Sequence, residues 1–526
     1  MLAEDIFKEF KEHSVSEFFR KNAAMLGYTG KIRSLTTVVH EGVTNAIDGA
    51  EEAGILPSIF VAIRPVDGNS EHYKIVVEDN ASGIPEEYVP HVFGKMLAGT
   101  KLHRNVQGRG QQGIGVSGSV MFSQVTSGRP TRVFTSTGNG EIVRKDVMID
   151  VKKNIGKEMN SERLKGNWRG TRVEFEVKDV TYKRSRYGPF NYLRMTAIAN
   201  PHVQITLVEP DGALTVFERA TDKIPKRPRP MPLHPWGVGS DDLLALAKHT
   251  KSRTVASFLV SELSRVSRRK IKQVQELSGV NLDKKPSDLT WEETEKIISA
   301  FKQIKFMAPP TAGLRPIGAE DIKSGMQQIL DPEFVYAVTR SPKVYHGGIP
   351  FVVEAGVAYG GNAGRKAEEG NERLELMRFA NRAPLIFDQG GCALTTAAKD
   401  IDWRRYSVNV AMAPLTLFVN VVSAYVPYTS AGKQSVAEEP EVYEEARSVI
   451  MEVARELRRY LNRKIRREER QQRAGIFERY IPIIARRAAS LAGRSEPDVR
   501  PLLGKIAGEE VAERGEKEQE EAHEGS

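Results

Sequence analysis

Five prolines fall within the twelve residues of IPKRPRPMPLHP, positions 224–235. Proline lacks an N–H and its ring fixes φ, so neither a helix interior nor a central strand can cross such a stretch. A second break, MAPPTAGLRPIG at 307–318, punctuates the chain again. At 526 residues the chain is too long for one hydrophobic core, and about three domains are expected.

Before the first break, SIFVAI, YKIVVED, TRVFTST, TRVEFEV, VQITLVE and LTVFER are β-prone runs, and 33–53 and 114–125 read as helices. Residues 241–306 are almost strand-free. Within them, Thr290 and Glu293 stand in capping-box relation, which predicts a helix start. Beyond the second break FVVEAGVAYGG, LELMRFANRAPLIF and LTLFVNVVSAYVPY read as strands. From Pro440 to about Arg473 the pattern predicts one long helix, with Ile450, Ala454, Leu457 and Leu461 on one side. There is no internal repeat.

No apolar run approaches the roughly 20 residues of a membrane span, so no membrane partner is expected. The amphipathic N-terminus, MLAEDIFKEFKEHSVSEFF, has no signal-peptide core. Cys392 is the one cysteine, which excludes an intrachain disulfide and cysteine-built metal sites and suits a reducing cytoplasm. The formal net charge of +9 favours an anionic partner. Arg458–Arg473 holds eight basic and two acidic residues, whereas the stretch from Glu509 to the end holds eight Glu. A basic helix followed by an acidic, disordered tail is expected.

The chemistry begins in VVHEGVTNAIDGAEEAG, residues 38–54. At about 100° per residue, Glu41, Asn45, Asp48 and Glu52 share one stripe, and Val39, Val43, Ala46, Ile47 and Ala50 form another. The polar stripe is either solvated surface or the wall of a site, and the helix alone does not decide. Downstream, KIVVEDNASGIP ends an apolar strand in Asp79-Asn80, with Gly83 in the following turn. A carboxylate at a strand end can accept a hydrogen bond from an exocyclic amine. FGKMLAGTKLHRNVQGRGQQGIGVSGSVMFSQ contains Thr100 and Lys101, then glycines 108, 110, 113 and 115 leading into an apolar helix. Such glycines let backbone N–H groups close around phosphate, aided by the helix dipole. RGTRVEFEV places Gly170-Thr171 just before a strand. GRGQQG matches a dinucleotide fingerprint by letter, but the polar GTKLHRNVQ before it is no buried strand. There is no P-loop motif. Asp400-Ile401-Asp402 reads as a surface turn.

Taken in order, Glu41-xxx-Asn45-xx-Asp48, Asp79-Asn80-x-x-Gly83, the glycine lid 110–115 and Gly170-Thr171 resemble the ATP site of the gyrase, heat-shock-chaperone, histidine-kinase and MutL superfamily. FFRKNAAMLGY, RSLTTVVHEGVTNAIDGAEEAGILP, RGQQGIGVSGSVMFSQ, DWRRYSVN and VPYTSAGKQSVAE extend the likeness. They resemble the B-subunit family of archaeal-type DNA topoisomerase VI over nearly the whole chain. Three positions depart from the pattern: Ala81 replaces a usual glycine, Thr44 a common aspartate, and Arg404 the lysine of a Trp-Lys-x-Tyr loop.

The resemblance implies an α+β multidomain fold. It comprises a Bergerat-type α/β-sandwich ATPase (1–228), an all-helical helix–two-turns–helix insert (229–306), an α/β transducer ending in a long helix (307–473) and a C-terminal extension (474–526). It implies ATP and Mg²⁺ as ligands, with Glu41 as general base, Asn45 as Mg²⁺ ligand and Asp79 with Thr171 on the adenine. Asp48, Gly83, Thr100, Lys101, Gly110, Gln111, Gln112, Gly113, Ile114, Gly115 and Val116 would complete the nucleotide site, and Lys433 would reach the γ-phosphate. Trp403, Arg404 and Tyr406 are the implied DNA contacts. Arg268, Arg269 and Lys270 on the insert are DNA-contact candidates too, and equally well a solvated helical face. The implied partners are duplex DNA, a strand-cutting A subunit in an A2B2 heterotetramer, and a second B subunit paired by ATP. The rival expectations are a MutL-like repair ATPase, against which the insert argues, and an ATP-regulated DNA-binding scaffold.

Overall fold

The computed structural model describes residues 23, 27–96, 106–110, 115–150, 153–365, 373–430 and 432–504. The acidic run from Glu509 lies outside them, as do the amphipathic N-terminal residues 1–22 and Thr100, Lys101, Gln111, Gln112, Gly113 and Ile114.

Helix α1 (Lys31–Ala53) ends at Gly54, whose left-handed conformation closes the last turn. Its apolar stripe is fully covered: Val39, Val43, Ala46, Ile47 and Ala50 are all buried. The first sheet follows: β1 (Ser58–Val66), β2 (Asn69–Glu78), the short α2 (Val89–Gly94), α3 (Gly115–Ser127), β3 (Thr131–Thr137), β4 (Glu141–Asp150), β5 (Ile155–Lys165), β6 (Arg169–Lys178), α4 (Pro189–Ala199), β7 (Gln204–Val208) and β8 (Leu214–Phe217). The strand order is β5-β4-β3-β6-β2-β1-β7-β8, with β1 parallel to β7. Helices α1, α3 and α4 pack on this sheet.

Strands β4 and β5 and helix α4 go beyond the elements expected from sequence. Strand β5 is an edge strand, exposed along almost its whole length, so it carries no apolar alternation. Cross-strand ion pairs hold it, Lys145 to Glu158 at 2.6 Å and Arg144 to Glu162 at 2.9 Å. Charges on an edge also discourage pairing with another chain.

Between the proline breaks stand four helices: α5 (Ser240–His249), α6 (Val255–Glu262), α7 (Arg268–Ser278) and α8 (Trp291–Gln303). They share a core built on Leu243, Phe258, Leu259, Val274, Ile297 and Phe301. The expected capping box opens α8: Thr290 N–H donates to Glu293 at 2.9 Å, and Glu293 N–H donates to the Thr290 hydroxyl at 3.3 Å.

The second sheet takes β9 (Phe334–Thr339), β10 (Lys343–Tyr345), β11 (Ile349–Tyr359), β12 (Glu375–Ala380), β13 (Ala383–Pro384) and β14 (Leu415–Ser423), preceded by α9 (Ala319–Leu330) and interrupted by α10 (Ala393–Lys399). Its order is β10-β11-β14-β12-β13, with β9 also on β11. Every residue of β14 is buried, as a strand covered on both faces must be. Glu354, in the middle of β11, is fully buried too. Its carboxylate accepts from the N–H groups of Ile317 (3.0 Å) and Gly318 (2.8 Å), the Thr339 hydroxyl (2.8 Å) and the Asn420 amide (2.8 Å). The acid therefore caps the start of α9 from below.

LELMRFANRAPLIF, expected as one strand, is a hairpin. Asn381 and Arg382 both have positive φ, 49° and 70°, the handedness a tight two-residue hairpin turn needs. The sequence hides this turn because Arg stands where Gly is usual. The long helix α11 runs Pro440–Leu491 and includes Pro482. It passes the expected end at Arg473, where Gly475 and Pro482 read as breakers in the sequence, and apolar residues resume on it at Ile476 and Phe477.

The chain divides into two compact units. The first holds both sheets and the helical insert and reaches Ala454, and the second holds Arg404–Val408 and the chain from Arg455 onward. Within the first unit one core joins the two sheets, since α9 meets α4. Gly325 makes that approach possible, because a side chain there would strike the Ile198 carbonyl.

Candidate nucleotide site

Helix α1 presents its polar stripe beside the end of β2. Gly42 lets the helix rest on Val77, and Gly49 faces the Ala81 methyl, so the two glycines bracket Asn45 while their partners bracket Asp79. This also accommodates Ala81 where the superfamily has glycine. Asn45 is exposed, and its amide N–H donates to the Glu41 carbonyl at 2.9 Å. The helix thus uses the N–H side of the amide and not Oδ1.

Asp79 is tied to β6. Its Oδ1 accepts from the N–H groups of Ala81 (2.9 Å) and Thr171 (3.0 Å), and its own N–H donates to the Thr171 carbonyl at 2.9 Å. Gly170 has φ 143° and lies so close to the Asp79 carbonyl that no side chain fits. Gly83 has φ 75° and abuts the Ser136 carbonyl in the same way. Burial pushes the Asp79 carboxyl up to about 6, and the Ala81 and Thr171 N–H groups only partly oppose it.

The lid motif is anchored at both described ends. Gly115 opens α3 against Glu41: a methyl group there would overlap the Glu41 carboxylate. Val116 is half-buried beside it. Gly110 has open space around it. Lys433 is half-buried in a left-handed conformation, φ 51°. Burial lowers its ammonium pKa, while Glu41 and Asp48 pull it back up. A lysine from beyond the second sheet thus lies in the field of two acids on α1.

Arg109 is a participant that sequence reasoning missed. Its side chain is 6% exposed and donates to Asp48 Oδ1 (2.6 Å), Glu51 Oε1 (2.7 Å) and Oε2 (3.0 Å), and Asn200 Oδ1 (2.5 Å). His202 Nε2 adds a contact to Glu51 at 2.8 Å. Burial raises the Glu51 pKa, but Arg109 and His202 overcome it and hold the carboxyl well below its usual range. Asp48, expected to serve the nucleotide, is engaged by Arg109 in this conformation. The only sequence signal was a charged residue between lid glycines.

No cluster of three His, Cys, Asp or Glu suited to a metal occurs among the described residues. Asn45 Oδ1 takes no part in the Glu41 contact, so it is the atom this helix would offer to an ion that keeps waters and phosphate oxygens, as Mg²⁺ does.

Trp403 is buried, with its indole N–H donating to the Ala398 carbonyl at 3.2 Å. Arg404 is exposed and Tyr406 half-buried. Arg268 and Arg269 are exposed at the start of α7, and Lys270 donates to Gln273 at 3.0 Å. In the Asp400-Ile401-Asp402 turn, Asp400 accepts from the Tyr443 hydroxyl at 2.6 Å. No helix among the described residues is long and apolar enough to cross a membrane.

A family model described as "Histidine kinase-, DNA gyrase B-, and HSP90-like ATPase" matches residues 30–180, and one described as "Topoisomerase VI B subunit, transducer" matches residues 309–473. The type 2 DNA topoisomerase 6 B subunit of Pyrococcus horikoshii is 52% identical, with 96% of this chain and 96% of that protein covered. Its counterpart in Pyrococcus furiosus is 52% identical, covering 95% and 94%. That of Methanothermobacter thermautotrophicus is 52% identical, covering 95% and 96%. With half its residues shared over nearly the full length of these relatives, the chain belongs to the B-subunit family of type 2 DNA topoisomerase 6.

Proposed function

We propose that this chain is the ATP-hydrolysing gate subunit of a type IIB DNA topoisomerase, which relaxes supercoiled DNA by passing one duplex through a break made by the strand-cutting A subunit. The observation that carries the reading is Lys433, which comes from beyond the second sheet yet lies in the field of Glu41 and Asp48. A lysine that binds only the triphosphate gives the ATP state a contact the diphosphate state lacks, which is what a switch needs.

Within that reading, Asp79 accepts the adenine amine and Thr171 supports it. The N–H groups of 110–116 surround the phosphates, and Gly83 shapes the floor. Asn45 Oδ1 would hold Mg²⁺, which when bound would supply charge neutralisation at the phosphates. Glu41 takes the proton of the attacking water as general base. Thr100 and Lys101, outside the described residues, would serve the same nucleotide. The expected boundaries at 228, 306 and 473 stand as the domain proposal. ATP closes the gate by pairing two B subunits in an A2B2 assembly. The apolar residues Ile476, Phe477, Tyr480, Ile483 and Ile484 share one side of α11 and are about half exposed. Such a face suits contact with the strand-cutting partner. Arg268, Arg269 and Lys270 on α7 and Arg404 and Tyr406 contact duplex phosphates, and Trp403 anchors the turn that carries the last two.

The test measures phosphate release by wild type and Glu41→Ala, with and without supercoiled DNA and the strand-cutting partner. Wild type is expected to hydrolyse ATP and the variant to lose that activity. Equal rates would refute the base, and relaxation without ATP by the reconstituted pair would refute the gate.

A further inference from the structure

Three consecutive residues at the entrance to the glycine lid are each held by a different part of the fold. The Gln107 side chain, 6% exposed, makes a two-way pair with the Arg315 backbone: its amide donates to the Arg315 carbonyl at 2.9 Å, and its carbonyl accepts the Arg315 N–H at 2.7 Å. The Gly108 carbonyl accepts from Asn381 Nδ2 at 3.2 Å. Arg109 grips Asp48 and Glu51 on α1 and Asn200 at the end of α4. Asn200 in turn donates to the Arg382 carbonyl at 3.2 Å. Gln107, Gly108, Arg109, Asn381 and Arg382 border one cavity of about 480 Å³.

Asn381 and Arg382 are the hairpin turn between β12 and β13. Asn381 is itself fixed across the sheet, accepting from Ser423 N–H at 3.0 Å and donating to its carbonyl at 2.8 Å. The residues just past β13 hold the lysine loop: the N–H groups of Ile386 and Phe387 donate to the Gln434 side chain at 3.2 and 3.3 Å. One hairpin therefore touches the lid entrance with its turn and the neighbour of Lys433 with its exit. Its left-handed Arg382 is a strained choice where glycine would be relaxed. The Arg382 guanidinium donates to the Pro316 carbonyl at 3.0 Å, which glycine could not do.

We propose that Gln107–Gly108–Arg109 is a clasp through which the β12–β13 hairpin sets the position of the nucleotide lid, with Arg109 as its positioning residue. The inference rests on the nucleotide reading above. Arg109 touches no substrate in this role. It fixes the chain just before Gly110, and Gly115 lies against Glu41 where α3 begins. Movement of the lysine loop is then felt at the lid through the hairpin as well as at the phosphate itself. Arginine suits the post because one planar fork reaches two acids and an amide, whereas a lysine reaches them one at a time.

The experiment combines amide hydrogen exchange over residues 107–116 with steady-state ATP hydrolysis, on the full-length chain as wild type, Arg109→Ala, Arg109→Lys, Gln107→Ala and Asn381→Ala. Without nucleotide, exchange should quicken in Arg109→Ala, Gln107→Ala and Asn381→Ala, and Arg109→Lys should fall between Arg109→Ala and wild type. With ATP, KM should rise about tenfold in Arg109→Ala and in the same direction in Asn381→Ala, with kcat changed far less. The double variant Arg109→Ala/Asn381→Ala should fall short of the product of the single effects. If Arg109→Ala fails to fold, Gln107→Ala and Asn381→Ala, which leave the buried acids paired, carry the test. Unchanged lid exchange and unchanged KM in those two would overturn the clasp. A wild type that neither binds nor hydrolyses ATP would overturn the nucleotide reading instead, and the exchange data would still judge the contacts.

Discussion

The Glu41 carboxylate lies directly against Gly115, so the proposed general base and the end of the lid share one contact. Gly115 is the first residue of α3, and its backbone is not in the left-handed region. Gly115→Ala therefore meets no backbone penalty, but its methyl group lands on the carboxylate and must push it aside. Displacing a catalytic group by about 1 Å costs on the order of 10²-fold in rate. The expected outcome is a folded protein with nearly unchanged thermal midpoint and hydrolysis reduced by that factor. Calorimetry and phosphate release on one preparation check it, and full activity would show that the contact is incidental.

Asp79 gives a pH dependence with a definite sign. Its folded pKa is raised to about 6 from an ordinary value of 3.8, chiefly by burial. The fold therefore disfavours the ionised form. The contribution to stability is fully present below the unfolded value and is lost as pH rises through about 6, amounting to at most about 3 kcal/mol. Asp79→Asn keeps an acceptor for the Ala81 and Thr171 N–H groups and carries no charge. It should be as stable as wild type or more so at pH 8, with the difference shrinking by pH 4.5. Nucleotide binding should run the opposite way, weakening in wild type as the carboxylate protonates below pH 6. Urea titrations at the two pH values test the first claim, and fluorescent ATP-analogue binding tests the second.

The period of α1 made its two stripes legible, and the Asp79 strand end and the glycines read as a nucleotide motif without any coordinates. The partners of Arg109 did not, because Glu51 and Asn200 lie 58 and 91 positions away and nothing in GRG points to either. The Asn381-Arg382 turn stayed hidden for a local reason: arginine at a left-handed position contradicts turn chemistry, and only Pro316 and Asn200 explain it. Strand β5 escaped notice because an exposed edge has no apolar face to alternate. Glu354 is the reverse case, an acid inside an apolar run that becomes intelligible once α9 starts above it. Local periodicity and turn chemistry are written in neighbouring residues, while buried ion pairs depend on where distant segments meet.

Lys433 is strained as well as charged, and glycine separates the two properties. Lys433→Gly removes the left-handed penalty of about 1–2 kcal/mol while adding chain entropy to the unfolded state, so stability should change by less than about 1 kcal/mol. ATP affinity should fall about tenfold to a hundredfold, the worth of one hydrogen bond to a charged group, while ADP affinity stays level. Competition binding of the two nucleotides decides it. An equal loss for both would mean that the lysine does not sense the third phosphate.

Trp403 and Arg404 are neighbours with opposite environments, which predicts opposite mutant behaviour. Trp403 is 7% exposed and spends its N–H on the Ala398 carbonyl, so its ring serves packing. Trp403→Ala should cost about 3–5 kcal/mol of stability, and any DNA defect should follow from the loosened loop. Arg404 is exposed, and Arg404→Ala should leave stability within about 0.5 kcal/mol. If it touches a phosphate, that variant should bind duplex DNA more weakly at every sequence, and the slope of log affinity against log salt should fall by about one. Thermal melts of both variants, with DNA binding measured across a salt series, distinguish the two roles. A wild-type salt slope in Arg404→Ala would remove it from the DNA interface, and a wild-type melt in Trp403→Ala would contradict its place in the core.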